Sequence, residues 1–205
     1  LLTAFRKLKE HSDFMEKHNP TIKRRGLFFS GSEAFSRPEV RHYREKLRNR
    51  YIHPEGSRVL LLAPQTRTKP FHKAREFQKI QPALRRLDGN MVNKIHVCFY
   101  VAPFGVVPME LDEVYPLSQH ETASPIEDAT LGRIADEVAS YISSSHYKSV
   151  VLVHDPLNWS DHVKRACKKS CLEKRVKFNY LVLRENSTKN ILTRLEMILK
   201  KNLSE

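Results

Sequence analysis

The chain has 205 residues, 40% of them hydrophobic and 29% charged, which suffices for one globular core and excludes a repeat array or a disordered tail. Thirty-six Lys and Arg against 23 Asp and Glu leave a net charge of +13, so a polyanion is the first partner to consider, nucleic acid ahead of an anionic membrane. Cysteines at 98, 167 and 171 form neither a disulfide framework nor a CxxC zinc pair, and the apolar runs at 59–64 and 97–107 are too short or too Pro-broken to span a bilayer. A cytoplasmic protein with no membrane attachment is expected.

The charge is polarised. Residues 21–94 hold 18 basic and six acidic side chains, 95–147 hold Arg133 against eight carboxylates, and 148–205 hold 13 basic and six acidic. A basic half beside an acidic segment suggests one face for phosphates, although Lys and Arg also solvate ordinary helix faces. Arg41, Arg44 and Arg48 are candidate phosphate contacts in the first of these blocks.

In chain order, Leu2, Phe5, Leu8, Phe14 and Met15 predict an amphipathic helix over 2–18, stopped by Asn19-Pro20. LFFS at 27–30 reads as a short strand. Ser36 is placed to cap a helix whose apolar stripe is Val40, Tyr43, Leu47 and Tyr51. Continuous apolar runs at 58–63, 94–102, 149–154 and 178–183 have the pattern of strands buried on both faces of a parallel sheet. Helical patterns at 126–145, 158–175 and 187–202 alternate with the last of them, the rhythm of an α/β three-layer sandwich. The Pro-rich stretch 103–125 is a long connection, expected to be functional or locally structured.

Ligands of parallel α/β sheets bind beyond the carboxyl ends of the strands. Pro64, Gln65, Thr66, Arg67 and Lys69 follow the first long strand close to a helix start, Pro103 and Phe104 follow the second, and His154-Asp155-Pro156 follow the third. These loops are expected at one edge, bringing Lys69, Pro103, Phe104 and His154 together. Lys69 suits a phosphate or base contact, with a solvated loop cation as the alternative; no neighbour in sequence would activate it as a nucleophile. His154 and Asp155 suit either ligand orientation or a plain Asp-Pro turn. Asn186 or Ser187 would cap the last helix. His162, Cys167 and Cys171 lack a fourth ligand at zinc spacing and read as ordinary helix residues. With no P-loop, Rossmann glycine fingerprint, nucleophile elbow or HExxH in the sequence, no cofactor is expected.

Three stretches carry a resemblance: FMEKHNPTIKRRGLFFSGSEAFSRPEVRHYREKL, LLLAPQTRTKPFH and PFGVVPMELDEVYPLSQHE. Together they resemble the region that follows the catalytic barrel in the archaeal tRNA-guanine transglycosylase and archaeosine synthase family. The resemblance implies an accessory α/β domain, similar to the uracil-DNA-glycosylase fold, in enzymes of archaeosine biosynthesis that act at a D-loop guanine of tRNA. It implies tRNA as a partner, a transglycosylase barrel upstream or as a separate subunit, and a PUA-containing partner. Residues 1–20 would be the end of the barrel region and 21–205 the accessory domain. The opening LLTAF, without Met, fits a piece of a longer protein or a split subunit.

The synthase branch of that family has a motif Pro-Cys-x-x-x-Lys-Pro-Tyr-Ser-x-x-Ser-x-x-His. In register, this chain keeps Pro64, Lys69 and Pro70 but has Gln65 for the Cys, Phe71 and His72 for Tyr-Ser, Arg75 for the second Ser and Gln78 for the His. The expectation is therefore a non-catalytic domain, with Lys69, Arg67, Gln65, His72, Arg41, Arg44, Arg48, His154 and Asp155 contacting RNA or a ligand. The alternatives are a synthase-like enzyme acting on 7-cyano-7-deazaguanine in tRNA through Lys69 and His154, which requires a concave pocket at the strand ends, and a purely structural docking domain.

Overall fold

The computed structural model describes residues 27–156, 159, 161–183 and 188–204. The helix expected over 2–18 and the caps expected at 186–187 lie outside the described residues.

Five strands form the main sheet in the order β4-β3-β2-β6-β7: β2 is Val59–Pro64, β3 Ile95–Val101, β4 Gly105–Pro108, β6 Ser149–His154 and β7 Lys177–Val182. β3, β2, β6 and β7 run parallel, and β4 alone turns back antiparallel on β3. The four runs expected as buried strands are thus neighbours in one sheet, but β7, at its edge, is not buried on both faces: only Leu181 is buried and Tyr180 is exposed. All six residues of β2 and all seven of β3 are buried. Alternation sends Val59, Leu61 and Ala63 to one face and Leu60 and Leu62 to the other, which is why no polar side chain interrupts the run.

Helices cover both faces. On one side lie α5 (Asp128–Ser144), with Leu131, Ile134, Ala135, Val138 and Ile142 in helical spacing, and α6 (His162–Glu173), with Val163, Cys167 and Cys171 inward. The other face receives α7 (Thr188–Ser204) through Leu195, Leu199 and Leu203, together with the short helices α2 (Arg75–Gln78), α3 (Gln81–Arg85) and α4 (Gly89–Val92). Cys167 and Cys171 are core residues; burial pushes the Cys171 thiol up to about 11 and the Cys167 thiol higher still.

Helix α1 (Pro38–Asn49) shields the edge strand β4, where the Tyr43 hydroxyl donates to the carbonyl of Val106 at 2.7 Å. Ser36 does not cap it: the cap position is Arg37, with no side-chain hydrogen bond. Pro38 starts the helix, its fixed φ and missing N–H suiting the first turn. The connection 103–125 is built, not loose. It contains β4, a 3-10 turn at Met109–Leu111, and β5 (His120–Thr122), which pairs in parallel with β1 (Leu27–Phe29) as a separate ladder. Gly105, at φ +82°, makes the turn into β4, and a Cβ there would lie 2.8 Å from the Cβ of Glu137 on α5.

Candidate functional site

The carboxyl edge of the sheet carries the loop 64–78, and its side chains are tied inward. Gln65 accepts the N–H of Ala102 on Oε1 at 2.8 Å while its own N–H donates to Tyr100 at 3.0 Å, bolting the end of β2 to the end of β3. His72 presents Nδ1 to both carboxylate oxygens of Asp112, at 2.8 and 3.0 Å, and its backbone N–H donates to the same group at 2.9 Å. Asp112 is fully buried; burial raises its pKa against the opposing hydrogen bonds and charge of His72. Gln78 donates to the His72 carbonyl at 2.9 Å. Three of the positions where the synthase motif would carry reactive groups therefore hold the loop together.

Lys69 is half-buried. Its ammonium sits 5.8 Å from the centre of the Phe71 ring, and desolvation lowers its pKa, partly offset by Glu121. The depressing influence that sequence neighbours do not supply is thus burial in the fold. Beside it His120, 1% exposed, sits among Phe29, Phe71 and Phe104, with ring centroids 6.0, 6.0 and 4.8 Å away. His120 Nδ1 donates to the Leu117 carbonyl at 2.9 Å, and among the described residues Nε2 has no partner. Burial, and secondly the charge of Lys69, lower its pKa to about 3, so the ring is neutral.

The carboxyl edge thus joins Lys69 to Phe71, His120 and, through His120, Phe104. His154 has its contact just before α6, at the cap position Asp161, whose Oδ1 lies 3.2 Å from its Nε2; burial lowers its pKa, opposed by Asp161. Asp155 follows it, half-buried. Arg67 is exposed, and residues 71–73 form a 3-10 turn after Pro70 where a helix start was expected. Among the described residues the space beside Ala102 and Pro103 is about 10 Å³, room for a single water.

On α1, Arg44 and Arg48 both reach Glu137 of α5, Arg48 at 2.7 and 2.9 Å, while Arg41 is exposed. Between these helices, toward the amino edge of the sheet, opens a groove of about 300 Å³ lined among others by Arg48, Tyr51, His53, Tyr141, Ser144 and His146.

Under the groove lies a polar network that the sequence did not announce. Tyr141 Oη stands 3.2 Å from Tyr147 Oη, Tyr147 meets His96 Nδ1, His96 Nε2 is 3.0 Å from Tyr51 Oη, and Tyr51 donates to Glu110. Burial raises the pKa of all three tyrosines, keeping them as neutral donors. For Glu110 burial acts upward but is outweighed by the hydrogen bond and charge of His96 and the hydrogen bond of Tyr51, which hold the carboxyl below its usual range. Each donor can point along one direction, ending on that carboxylate, so the buried polar atoms satisfy one another. Cys98, 3.5 Å from His96 Nε2, has its thiol pKa raised by burial, which favours the neutral thiol. The spacing of His96 and Cys98 along one strand put both on one face; the tyrosines come from α1's end, α5 and the start of β6, and only the fold assembles them.

Among the described residues no group of His, Cys, Asp and Glu could hold a metal ion, and no helix is long and apolar enough to cross a membrane.

A family profile described as a domain of unknown function (DUF5591) matches residues 40–199. The chain is 34% identical over 161 residues to the tRNA-guanine(15) transglycosylase of Methanosphaera stadtmanae, covering 75% of this chain and 23% of that protein. It is 32% identical over 158 residues to the protein of the same name from Methanobrevibacter smithii, covering 75% and 22%. Against the archaeosine synthase subunit alpha of Methanosarcina acetivorans it is 31% identical over 153 residues, covering 73% and 24%. The chain thus spans about a quarter of the length of these curated relatives. The fold is similar to the crystal structure of AF0587, a protein of unknown function, with a TM-score of 0.53 at 14% identity over 80% of this chain and 50% of that one.

Proposed function

Because the chain belongs to the DUF5591 family, whose segment is shared by relatives named for two different steps, we propose that it is a non-catalytic, tRNA-associated accessory domain in archaeosine biosynthesis. The observation that carries this reading is the sharing itself. One segment recurs in proteins named tRNA-guanine(15) transglycosylase and in proteins named archaeosine synthase subunit alpha. A domain common to both serves what both need, which is holding the tRNA, rather than a reaction that only one performs. The internal hydrogen bonds of Gln65, His72 and Gln78 support it, since they occupy the places of the synthase motif's thiol, hydroxyl and imidazole.

On this reading residues 21–205 are the accessory domain, similar to the uracil-DNA-glycosylase fold, and residues 1–20 continue from a transglycosylase barrel in the same chain or docked as a subunit. A PUA-containing partner would share the grip on tRNA, in the cytoplasm, around a D-loop guanine. Arg67, Lys69 and their loop contact tRNA or the barrel, as do Arg41 on α1 and the His154-Asp155 turn.

One observation favours a second reading. The half-buried Lys69, its pKa lowered by desolvation beside neutral His120, has the character of a reacting amine. The chain should be given tRNA bearing 7-cyano-7-deazaguanine, with binding and conversion followed together. Binding without conversion is expected. Conversion by this chain, abolished by Lys69→Arg, would replace the accessory reading with a synthase-like enzyme.

A further inference from the structure

The four parallel strands all begin next to a basic residue. Arg58 precedes β2, Lys94 precedes β3, Lys148 precedes β6 and Lys177 opens β7. Backbone hydrogen bonds and register place the first three side by side: Arg58 N–H donates to the Lys94 carbonyl at 2.8 Å and Lys148 N–H to the Arg58 carbonyl at 2.8 Å, while Lys177 is level with Ser149. With strands about 4.8 Å apart, the row of three runs roughly 10 Å along the amino edge of the sheet.

Several cations elsewhere are neutralised from within. Arg44 and Arg48 share Glu137, Lys73 pairs with Glu113, Lys164 with Asp161, and Arg86 and Lys200 with Glu196. Arg58 and Lys148 are exposed, and among the described residues neither they nor Lys94 has a carboxylate partner. Adjacent like charges on neighbouring strands repel, so the row is at its most stable with an external anion along it.

Beside this row opens the groove of about 300 Å³, where the rings of Tyr51, His53, Tyr141 and His146 share the lining with aliphatic residues, Arg48, Glu137 and serines, and the His53 and Tyr147 rings are 5.1 Å apart. A row of cations flanked by a groove that offers four rings fits single-stranded nucleic acid, whose phosphates follow the charge while an unstacked base enters the groove. A paired duplex offers the row its phosphates but has no free base for the groove.

We propose that the amino edge of the sheet, formed by Arg58, Lys94 and Lys148 with the groove around His53 and His146, is the main docking surface for a single-stranded loop of RNA. This deepens the reading of the chain as tRNA-associated and rests on it, moving the principal RNA contact to the edge opposite Lys69.

The test is a titration of fluorescent tRNA transcript with the full chain at several salt concentrations. Arg58→Ala/Lys148→Ala should raise Kd about tenfold and reduce the slope of log K against log salt by about 1.5, the release from two phosphates. His53→Ala/His146→Ala should raise Kd severalfold at unchanged slope, because stacking releases no counterions. Arg67→Ala/Lys69→Ala should weaken binding less than the first pair. Wild-type affinity in Arg58→Ala/Lys148→Ala, or a greater loss in Arg67→Ala/Lys69→Ala, overturns this assignment while leaving tRNA association intact. Equal competition by a fully paired RNA duplex overturns the single-strand assignment. If the unaltered chain does not bind tRNA at low salt, the accessory reading itself falls, and the docking surface with it.

Discussion

Arg48 donates from α1 to both carboxylate oxygens of Glu137 on α5, at 2.7 and 2.9 Å, and Arg44 reaches the same carboxylate from one turn earlier. Two of the three α1 cations expected on RNA therefore brace a helix against its neighbour. Their charge is partly cancelled inside the protein, and the third, Arg41, is exposed.

Glu137→Gln should accordingly cost about 1–3 kcal/mol, because it leaves two guanidiniums, one of them mostly buried, without their carboxylate. Arg41→Glu should alter stability by no more than about 0.5 kcal/mol while weakening tRNA binding. Urea unfolding of both variants, with tRNA titration of the second, checks the division of roles.

Gly105→Ala should be destabilising by about 2–4 kcal/mol, the sum of a side chain at positive φ and an overpacked contact. The φ of +82° and the 2.8 Å approach to Glu137 leave α5 no room to accommodate the methyl group. A lower urea midpoint at unchanged m-value is the expected result.

The neutral His120 gives stability an acid limit. Its pKa is about 3 in the fold and near 6.5 unfolded, so between those values the unfolded chain binds more protons and stability falls as the pH drops. The loss from this group reaches at most about 1.4 kcal/mol per pH unit and ends below pH 3. His120→Phe should lower stability near neutral pH, since the bond to Leu117 is lost, yet flatten its slope between pH 6 and 4, so that the variant overtakes the unaltered chain at the acid end. Melting curves across that range distinguish the two effects.

The parallel sheet was legible because strands buried on both faces need apolar runs, which VLLLAP supplies outright and IHVCFYV supplies with His96 as its one interruption. The run at 97–107 was harder, since one apolar stretch is a hairpin: Tyr100 faces Val106 and Val101 faces Gly105 across β3 and β4. β5 was invisible, as three residues, HET, become a strand only through distant Leu27–Phe29. Lys69 stood out by its place after a strand, but its surroundings, the Phe71 ring and the charge of Glu121, 52 residues further on, come only with the fold. The tyrosine network could not be read at all, because Tyr51, Tyr141 and Tyr147 are spaced by packing and not by any sequence period.

Lys69→Arg should keep tRNA affinity within about twofold. A contact needs a cation, which Arg supplies, and a reacting amine would not survive the change. Filter binding at fixed salt measures it.

An accessory domain of this kind must, by itself, hold tRNA through its charge. Binding measured from 50 to 200 mM salt should fall linearly in log K against log salt, by a factor of about ten or more, as condensed counterions are released by the contacted phosphates. Affinity that is absent at 50 mM salt, or that does not change across the range, would contradict it.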